Sequence, residues 1–222
     1  MAKNKLDILY WDKHYIAVTK PAGILVHPFK SQDKDRRHLM RSLKKQTDLY
    51  LYPIHRLDKP VSGVVIFGLS KEATRLIKEQ WSSDLVEKKY ITMCKGVIDE
   101  EGEFNFSLKA ENGAIQEAQT LYKRIKENGE YSLADVSIKT GRMHQIRRHF
   151  SRRMFNLVGD TKYGKAIYNN YYRQRYNFYR LFLHSYELSF HHPIENKWVR
   201  IQSPLPSELT EIIDKEFINC SS

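Results

Sequence analysis

The sequence predicts an α+β fold, with a mixed, mostly antiparallel sheet and flanking helices. Short runs of β-branched and aromatic residues recur between turn signals, as is typical of strands. Segments with apolar residues at helical spacing lie among these runs rather than in a separate block. With 222 residues and 41% apolar content, the chain is long enough to bury a substantial core.

In the first half, "LDILYWD" and "YIAVTK" predict two strands, and "PAGILVHP" predicts the turn and loop after them. Residues 38–50 have the charges and leucines of a surface helix. "SGVVIFGLS" predicts a buried strand from its β-branched run. Ser70 is the expected N-cap of a helix that continues to about Ser82. The predicted inner side of this helix carries Ala73, Leu76, Ile77 and Trp81.

In the second half, "KKYITMCKGVI" predicts a strand, and "EAQTLYKRIKENGEYSLADVSIK" predicts a hairpin that turns at Asn128-Gly129. Alternation places Ala134, Val136 and Ile138 on one face of its second strand. "HSYELSFHHP" and "KWVRIQSP" predict two further strands. "SELTEIIDKEF" predicts a closing helix with Ser207 as its cap.

The charge balance indicates a polyanionic partner, either a nucleic acid or an acidic membrane surface. Lys and Arg number 37 against 26 Asp and Glu, which gives a net charge of +11 and a pI near 9.5. Between Lys139 and Arg180 lie eleven Lys and Arg, nine aromatic residues and a single acid, Asp160. Cations neutralise phosphates and exposed rings stack on bases, so this interleaving favours RNA or DNA over an ordinary solvated basic face.

Several other classes of protein are not indicated. No stretch approaches the roughly 20 apolar residues of a membrane span, and the N-terminus lacks the apolar segment of a signal peptide. Cys94 and Cys220 form no motif, and we expect reduced thiols in a cytoplasmic protein. There is no C-x-x-C, and His144 and His149 are five residues apart, on different helix faces, so we expect no bound metal.

Residues 142–154, "RMHQIRRHFSRRM", can be placed on a helix at about 100° per residue. An apolar stripe then forms from Met143, Ile146, Phe150 and Met154. Arg147 is the arginine closest to the centre of this stripe, with Arg153 close behind. A guanidinium at the edge of a buried face needs an anionic partner, because an unpaired buried charge is very costly. Asp58 is the candidate that the sequence suggests.

Three segments carry a family resemblance. "HRLDKPVSGVVIFGLSKEA", "EKKYI" and "KTGRMHQIRRHF" resemble the three catalytic motifs of the RluA-type pseudouridine synthases. "ILYWDKHYIAVTKPAGILVHP", "GDTKYG" and "LHSYELSFHHP" are similar to further blocks of the family, in the same order. Val61 stands where the family usually has Thr, and Thr19 where Asn is common. Neither position carries the chemistry.

The resemblance implies a pseudouridine synthase fold with a central RNA-binding catalytic cleft. We expect one catalytic domain over residues 1–222, without an N-terminal S4-type domain. The implied activity is an isomerisation of uridine that needs no cofactor. The implied catalytic residue is Asp58, either as a nucleophile on C1′ or as a base for the 2′ proton.

The resemblance also implies five substrate-binding residues. Tyr90 would stack on the uracil, Arg147 would pair with Asp58, and Ile146 would form an apolar wall against the ring. Arg56 would occupy the place of the flipped base, and His55 would order the loop. From the residues alone, Tyr90 could equally be a core tyrosine of a strand, and Ile146 is an ordinary core residue in either case. The alternative for His55 and Arg56 is a solvated loop pair, whereas the helix geometry argues against a surface role for Arg147.

Within the family, "HQIRRH" and "NFYRLFLH" are typical of the branch that modifies tRNA, which implies uridine 65 in the T-stem as the target. A ribosomal RNA site or another tRNA site is the alternative, and a non-catalytic RNA-binding protein is a further one. We expect a monomer that binds RNA and has no membrane partner.

Overall fold

A computed structural model describes residues 5–28 and 38–217 of the chain. Cys220 lies outside the described residues. The elements, in chain order, are β1 Ile8–Trp11, β2 Tyr15–Lys20, α1 Leu39–Thr47, β3 Tyr52–Pro53, β4 Ser62–Gly68, α2 Lys71–Glu79, β5 Val86–Lys95, β6 Glu101–Phe104, β7 Leu108–Lys109, β8 Ile115–Gln116, β9 Thr120–Glu127, β10 Tyr131–Ile138, α3 Gln145–Arg152, α4 Ala166–Tyr176, β11 Leu183–His192, β12 Lys197–Gln202 and α5 Ser207–Phe217.

The chain divides into two compact units. The first comprises residues 1–86 and 185–204, and the second comprises 87–184 and 205–222. All strand pairs whose registers the structure describes are antiparallel. Within the described residues, strands and five helices combine into the predicted α+β class with a mixed sheet and flanking helices, which is confirmed. The central cleft and the single catalytic domain stay predictions.

In the first unit, β2 lies between β1 and β4, and β4 is followed by β11 and then β12. The continuous apolar runs of β2 and β4 explain why both strands are almost wholly buried. Their side chains pack with those of α2 and the two C-terminal strands of the unit into one apolar cluster, which includes Tyr15, Ile66, Ile77, Leu188 and Phe190.

The helix α2 begins as predicted, because the Ser70 side chain accepts a hydrogen bond from the Ala73 amide at 3.1 Å. It ends at Glu79 rather than near Ser82. Tight turns follow, with the Ser83 amide bonded to the carbonyl of Gln80.

The second unit contains the sheet order β5–β10–β9–β6. The predicted hairpin is confirmed: Gly129 has φ +81°, and the Asn128 side chain accepts the amides of Glu130 and Tyr131. The short pairs formed by β6, β7 and β8 were not predicted, since their sequences are charged and lack the β-branched runs used to recognise strands.

Two helices of the second unit differ from prediction. α3 covers Gln145–Arg152, so the predicted stripe loses its first and last members: Met143 precedes the N-cap His144, and Met154 has φ +64° and is 79% exposed. Ser207 is the first residue of α5 rather than its N-cap, and the Pro206 carbonyl accepts the amides of Leu209 and Thr210. In the part of the chain that the structure describes, no helix combines the length and apolar character needed to cross a bilayer.

Candidate active site

The turn that carries Asp58 is held from several directions. The Asp58 carbonyl accepts the Val61 amide at 3.0 Å, which closes a turn around Pro60. The Lys59 carbonyl accepts the Gly23 amide at 2.8 Å and the Lys20 ammonium at 3.2 Å. Lys20 is fully buried and also donates to the carbonyls of Pro21 and Ile24, both at 2.9 Å. A buried cation thus ties the Asp58 turn to the loop after β2.

His55 fixes the start of the same loop. Its Nε2 accepts the Ile66 amide of β4 at 3.2 Å, so a neutral ring carries its proton on Nδ1. Its ring centroid lies 4.7 Å from that of Trp81. Arg56, the next residue, is exposed. These contacts hold the His55 side chain in place, and the ordering role of His55 and the role of Arg56 stay predictions.

The glycine of "HRLDKPVSG" is required by backbone contact. Gly63 has φ +124°, and a Cβ atom there would lie 2.1 Å from the carbonyl oxygen of Ser185 in β11. Only a residue without a side chain can occupy this position. The loop therefore leads into β4 at a point where the β4 backbone lies directly against the backbone of β11.

Tyr90 lies on β5 opposite Val136 of β10 and is 7% exposed. Two residues earlier on the same face, Lys88 is also buried, and its Nζ donates to the Lys139 carbonyl at 2.8 Å. Burial lowers the pKa of Lys88 to about 8. Lys88 thus connects the strand of Tyr90 to the first residue of "KTGRMHQIRRHF". Lys88 was not among the predicted site residues, although its i, i+2 relation to Tyr90 was the available signal.

Arg147 has a buried acidic partner within the second unit. Its Nε and Nη2 each donate at 2.8 Å to the two oxygens of Asp160. The Arg147 side chain is 6% exposed and that of Asp160 is 1% exposed. Burial alone would raise the pKa of Asp160, but the bonds from Arg147 and from the Lys162 and Tyr163 amides lower it below its ordinary value.

The expectation that Arg147 has an acidic partner is thus confirmed. The partner in the structure is Asp160, which was not among the predicted site residues. The signal was available, since Asp160 is the single acid of the 139–180 window. The side-on fork uses Nε and one hydrogen of Nη2, so Nη1 and the second Nη2 hydrogen project from the other edge of the guanidinium. The predicted pairing of this group with Asp58 stays a prediction.

The entry to α3 is conformationally unusual. His144, the N-cap residue, is in the left-handed region at φ +54°, which is uncommon for a residue other than glycine. Its Nδ1 lies 2.9 Å from the Tyr163 hydroxyl, and the Arg147 guanidinium lies 5.1 Å from the centre of the Tyr163 ring. Gln145 is buried and makes four hydrogen bonds, to Thr140, Arg142, Gln119 and Thr120. These contacts fix the direction in which α3 presents Ile146 and Arg147.

The aromatic residues of the basic segment divide into exposed and core groups. Tyr179 is 67% exposed and Tyr171 is 41% exposed, as expected for rings that could stack on bases. Tyr172 and Phe178 are buried in the apolar cluster of the second unit, so these two are core residues and cannot stack on bases. Within the segment, Ala166–Tyr176 form α4, and its C-cap residue Asn177 has φ +52°.

One group of side chains has metal-ligand composition: Asp12, His192 and Glu195, whose ligand atoms lie within 4.8 Å of one another. His192 Nδ1, however, accepts the amides of Ile194 and Glu195 at 3.2 and 2.9 Å. The ring proton is therefore on Nε2, which faces Asp12 at 3.1 Å. Both imidazole nitrogens are engaged, so these three residues form a hydrogen-bonded turn rather than a prepared cation site.

The predicted residues thus fall into two sets. The first unit holds His55, Arg56 and Asp58 on one pinned loop. The second unit holds Tyr90 on β5 and the adjacent Ile146 and Arg147 on α3, both of them buried.

Comparison with known proteins agrees with these motifs. A family model described as RNA pseudouridylate synthase matches residues 14–152, more than half of the chain. The tRNA pseudouridine synthase C of Haemophilus ducreyi is 38% identical over 85% of this chain and 86% of its own. The protein of the same name from Vibrio parahaemolyticus is 35% identical over 89% of each chain.

The fold is also found among solved structures. The human RNA pseudouridylate synthase domain containing 4 superposes with a TM-score of 0.75 at 22% identity, covering 94% of this chain and 92% of that one. The chain belongs to the RNA pseudouridylate synthase family, of the RluA type, and is accordingly an isomerase.

Proposed function

We propose that this enzyme converts uridine 65 in the T-stem of tRNA to pseudouridine. The observation that carries the proposal is similarity, over 85–95% of this chain, to proteins named tRNA pseudouridine synthase C. The basic segment supports a tRNA substrate, because it supplies cations and exposed rings for phosphates and bases. We further propose a cytoplasmic monomer that uses no cofactor or metal.

The reaction breaks the N1–C1′ bond, turns the detached uracil and rejoins it to C1′ through C5. C5 loses a proton and N1, which has none while it is bonded to C1′, gains one, so atoms and electrons balance without an oxidant, a reductant or water. The base must leave its stack to be reached, which Arg56 assists by taking its place. Arg56 is exposed and lies between two anchored residues, His55 and Leu57, as this role requires.

Asp58 acts at the ribose, either on C1′ or on the 2′ proton. Its half-buried position on a turn held by Lys20 supplies a preorganised carboxylate. The Arg147 guanidinium pairs with that carboxylate and orients it. Tyr90 stacks on the uracil and assists removal of the proton from C5. Ile146 forms the apolar wall opposite the ring.

The test maps pseudouridine in total RNA from cells with this protein, from cells without it, and from cells without it that express the Asp58→Asn variant. We expect loss of pseudouridine at tRNA position 65 alone, restored by the wild type and not by the variant. Asp48→Asn is the matched control, since Asp48 is exposed at the left-handed C-cap of α1, where Asn is equally suitable. A lost ribosomal site would refute the tRNA assignment, and rescue by Asp58→Asn would remove Asp58 from its role.

A further inference from the structure

The first unit has a groove that the catalytic motifs do not use. It lies along α2, has a volume of about 480 Å³ and is open to solvent. Its walls are formed by Tyr52, Lys71, Thr74, Arg75, Lys78 and Glu79. The aliphatic stems of the cations and the Tyr52 ring make the floor apolar, while the charged ends stand at the rim.

The rim is positively charged. Lys71, Arg75 and Lys78 are exposed and follow one another at spacings of four and three residues, so they share one face of α2. Within residues 5–28 and 38–217, neither Lys71 nor Lys78 forms a salt bridge. Arg75 is bonded to Glu79 at 2.5 Å, but both side chains are more than half exposed, and such pairs exchange readily with other anions.

Two tyrosines extend the groove toward α1. The Tyr50 ring is 66% exposed, and its centroid lies 4.9 Å from that of Tyr52. The Lys44 ammonium lies 5.5 Å from the centre of the Tyr50 ring. The combined surface carries four cations and one acid, Glu79, a net charge of +3. We call it the α2 surface and define it by Lys44, Tyr50, Tyr52, Lys71, Arg75, Lys78 and Glu79.

We propose that the α2 surface binds an unpaired stretch of the substrate RNA. Lys44, Lys71, Arg75 and Lys78 contact phosphates, and a base stacks on the exposed Tyr50 ring. An exposed tyrosine beside a cation-rimmed apolar groove suits a nucleotide better than an acidic peptide, whose carboxylates offer no π face. The inference rests on the proposed function for the identity of the RNA. It adds a second contact region, in the other compact unit from the 139–180 segment.

The test is equilibrium binding of the full chain to tRNA and to a single-stranded uridine oligonucleotide, at several salt concentrations. Each lost lysine–phosphate contact lowers the slope of log K against log salt by about 0.7 on a single strand. Lys71→Gln/Lys78→Gln should therefore reduce the slope by about 1.4. Tyr50→Leu should weaken oligonucleotide binding by about fivefold or more. Both variants should raise KM for tRNA and leave kcat unchanged at saturating RNA.

The matched control is Lys123→Gln/Lys126→Gln, which removes two exposed lysines of β9. An unchanged slope for the Lys71/Lys78 variant, or an equal decrease for the control, would overturn the inference. Stronger loss of binding to polyglutamate than to the oligonucleotide would also overturn it, in favour of an acidic protein partner. Salt-sensitive RNA binding through this surface without pseudouridine formation would refute the proposed function and leave the inference standing.

Discussion

Replacement of Asp160 by Asn should destabilise the second unit far more than replacement of an exposed acid. Arg147 and Asp160 are joined by two 2.8 Å hydrogen bonds, and both side chains are almost wholly buried. Asn can still accept the amides of Lys162 and Tyr163, but it cannot accept both guanidinium bonds, because one of its two terminal atoms is itself a donor. The variant thus breaks the ion pair while it keeps the size of the side chain.

Two lines of reasoning bound the magnitude. Hydrogen bonds to charged groups contribute about 1.5–3 kcal/mol each, and Asn loses one of the two and weakens the other, because a neutral amide oxygen replaces a carboxylate, so the cost is at least about 1.5–3 kcal/mol. Removal of one partner from a buried ion pair costs about 3–5 kcal/mol. We therefore expect a loss of about 3–5 kcal/mol in the free energy of unfolding. The control Glu211→Gln should lose less than about 0.5 kcal/mol, because its pair with Lys215 is 3.8 Å long and exposed.

The measurement is urea unfolding at several pH values. The pKa of Asp160 is lowered in the folded state, so its stabilisation is complete above the ordinary carboxyl pKa of about 4 and is lost only as pH falls through the lower folded value. The gap between wild type and Asp160→Asn should then be constant from pH 5 to 8. A gap under about 1 kcal/mol, or one that changes across this range, would refute the reasoning.

Three further predictions concern stability. Burial lowers the pKa of His149 to about 4, so the unfolded chain binds more protons than the folded one between pH 4 and 6.5. The free energy of unfolding should therefore fall by about 3 kcal/mol as pH drops through that window. In urea unfolding at several pH values, His149→Gln should make this free energy less dependent on pH. Gly63→Ala should cost at least about 2 kcal/mol because of the clash with Ser185, whereas Gly23→Ala, at φ +87° with no atom within 4 Å, should cost about 1 kcal/mol. Ser70→Ala should cost about 1 kcal/mol through loss of the α2 cap, and Ser70→Gly only a few tenths, as thermal unfolding would show.

Local signals in the sequence were sufficient for the elements whose causes are local. The Asn128-Gly129 hairpin and the Ser70 cap each depend on residues within four positions, and both formed as predicted. The end of α3 was harder to predict from the sequence. Met154 continues the apolar spacing of the stripe, although the backbone is left-handed there. Burial of Tyr172 depends on distant packing against α5 and β10, which periodicity within α4 does not reveal.

The choice of partner for Arg147 shows a different limit. Burial of Arg147 was predictable from the helix, and so was the need for an acid, but several acids could satisfy that need. Asp160 does so because the 159–164 turn presents its carboxylate: the Lys162 and Tyr163 amides bond to Oδ1, and the Asn169 side chain bonds to its carbonyl. These are consequences of loop conformation that residue spacing does not encode.

This pairing also changes how the charge of the basic segment is distributed. Eleven cations and one acid give +10 between residues 139 and 180, and the buried Arg147–Asp160 pair contributes nothing to that sum. The whole of +10 is therefore carried by the other ten Lys and Arg, and none of them is buried. Since the acid of the segment neutralises a cation in the interior, it does not offset any of the other ten, of which Arg180 is paired with Glu208 outside the segment.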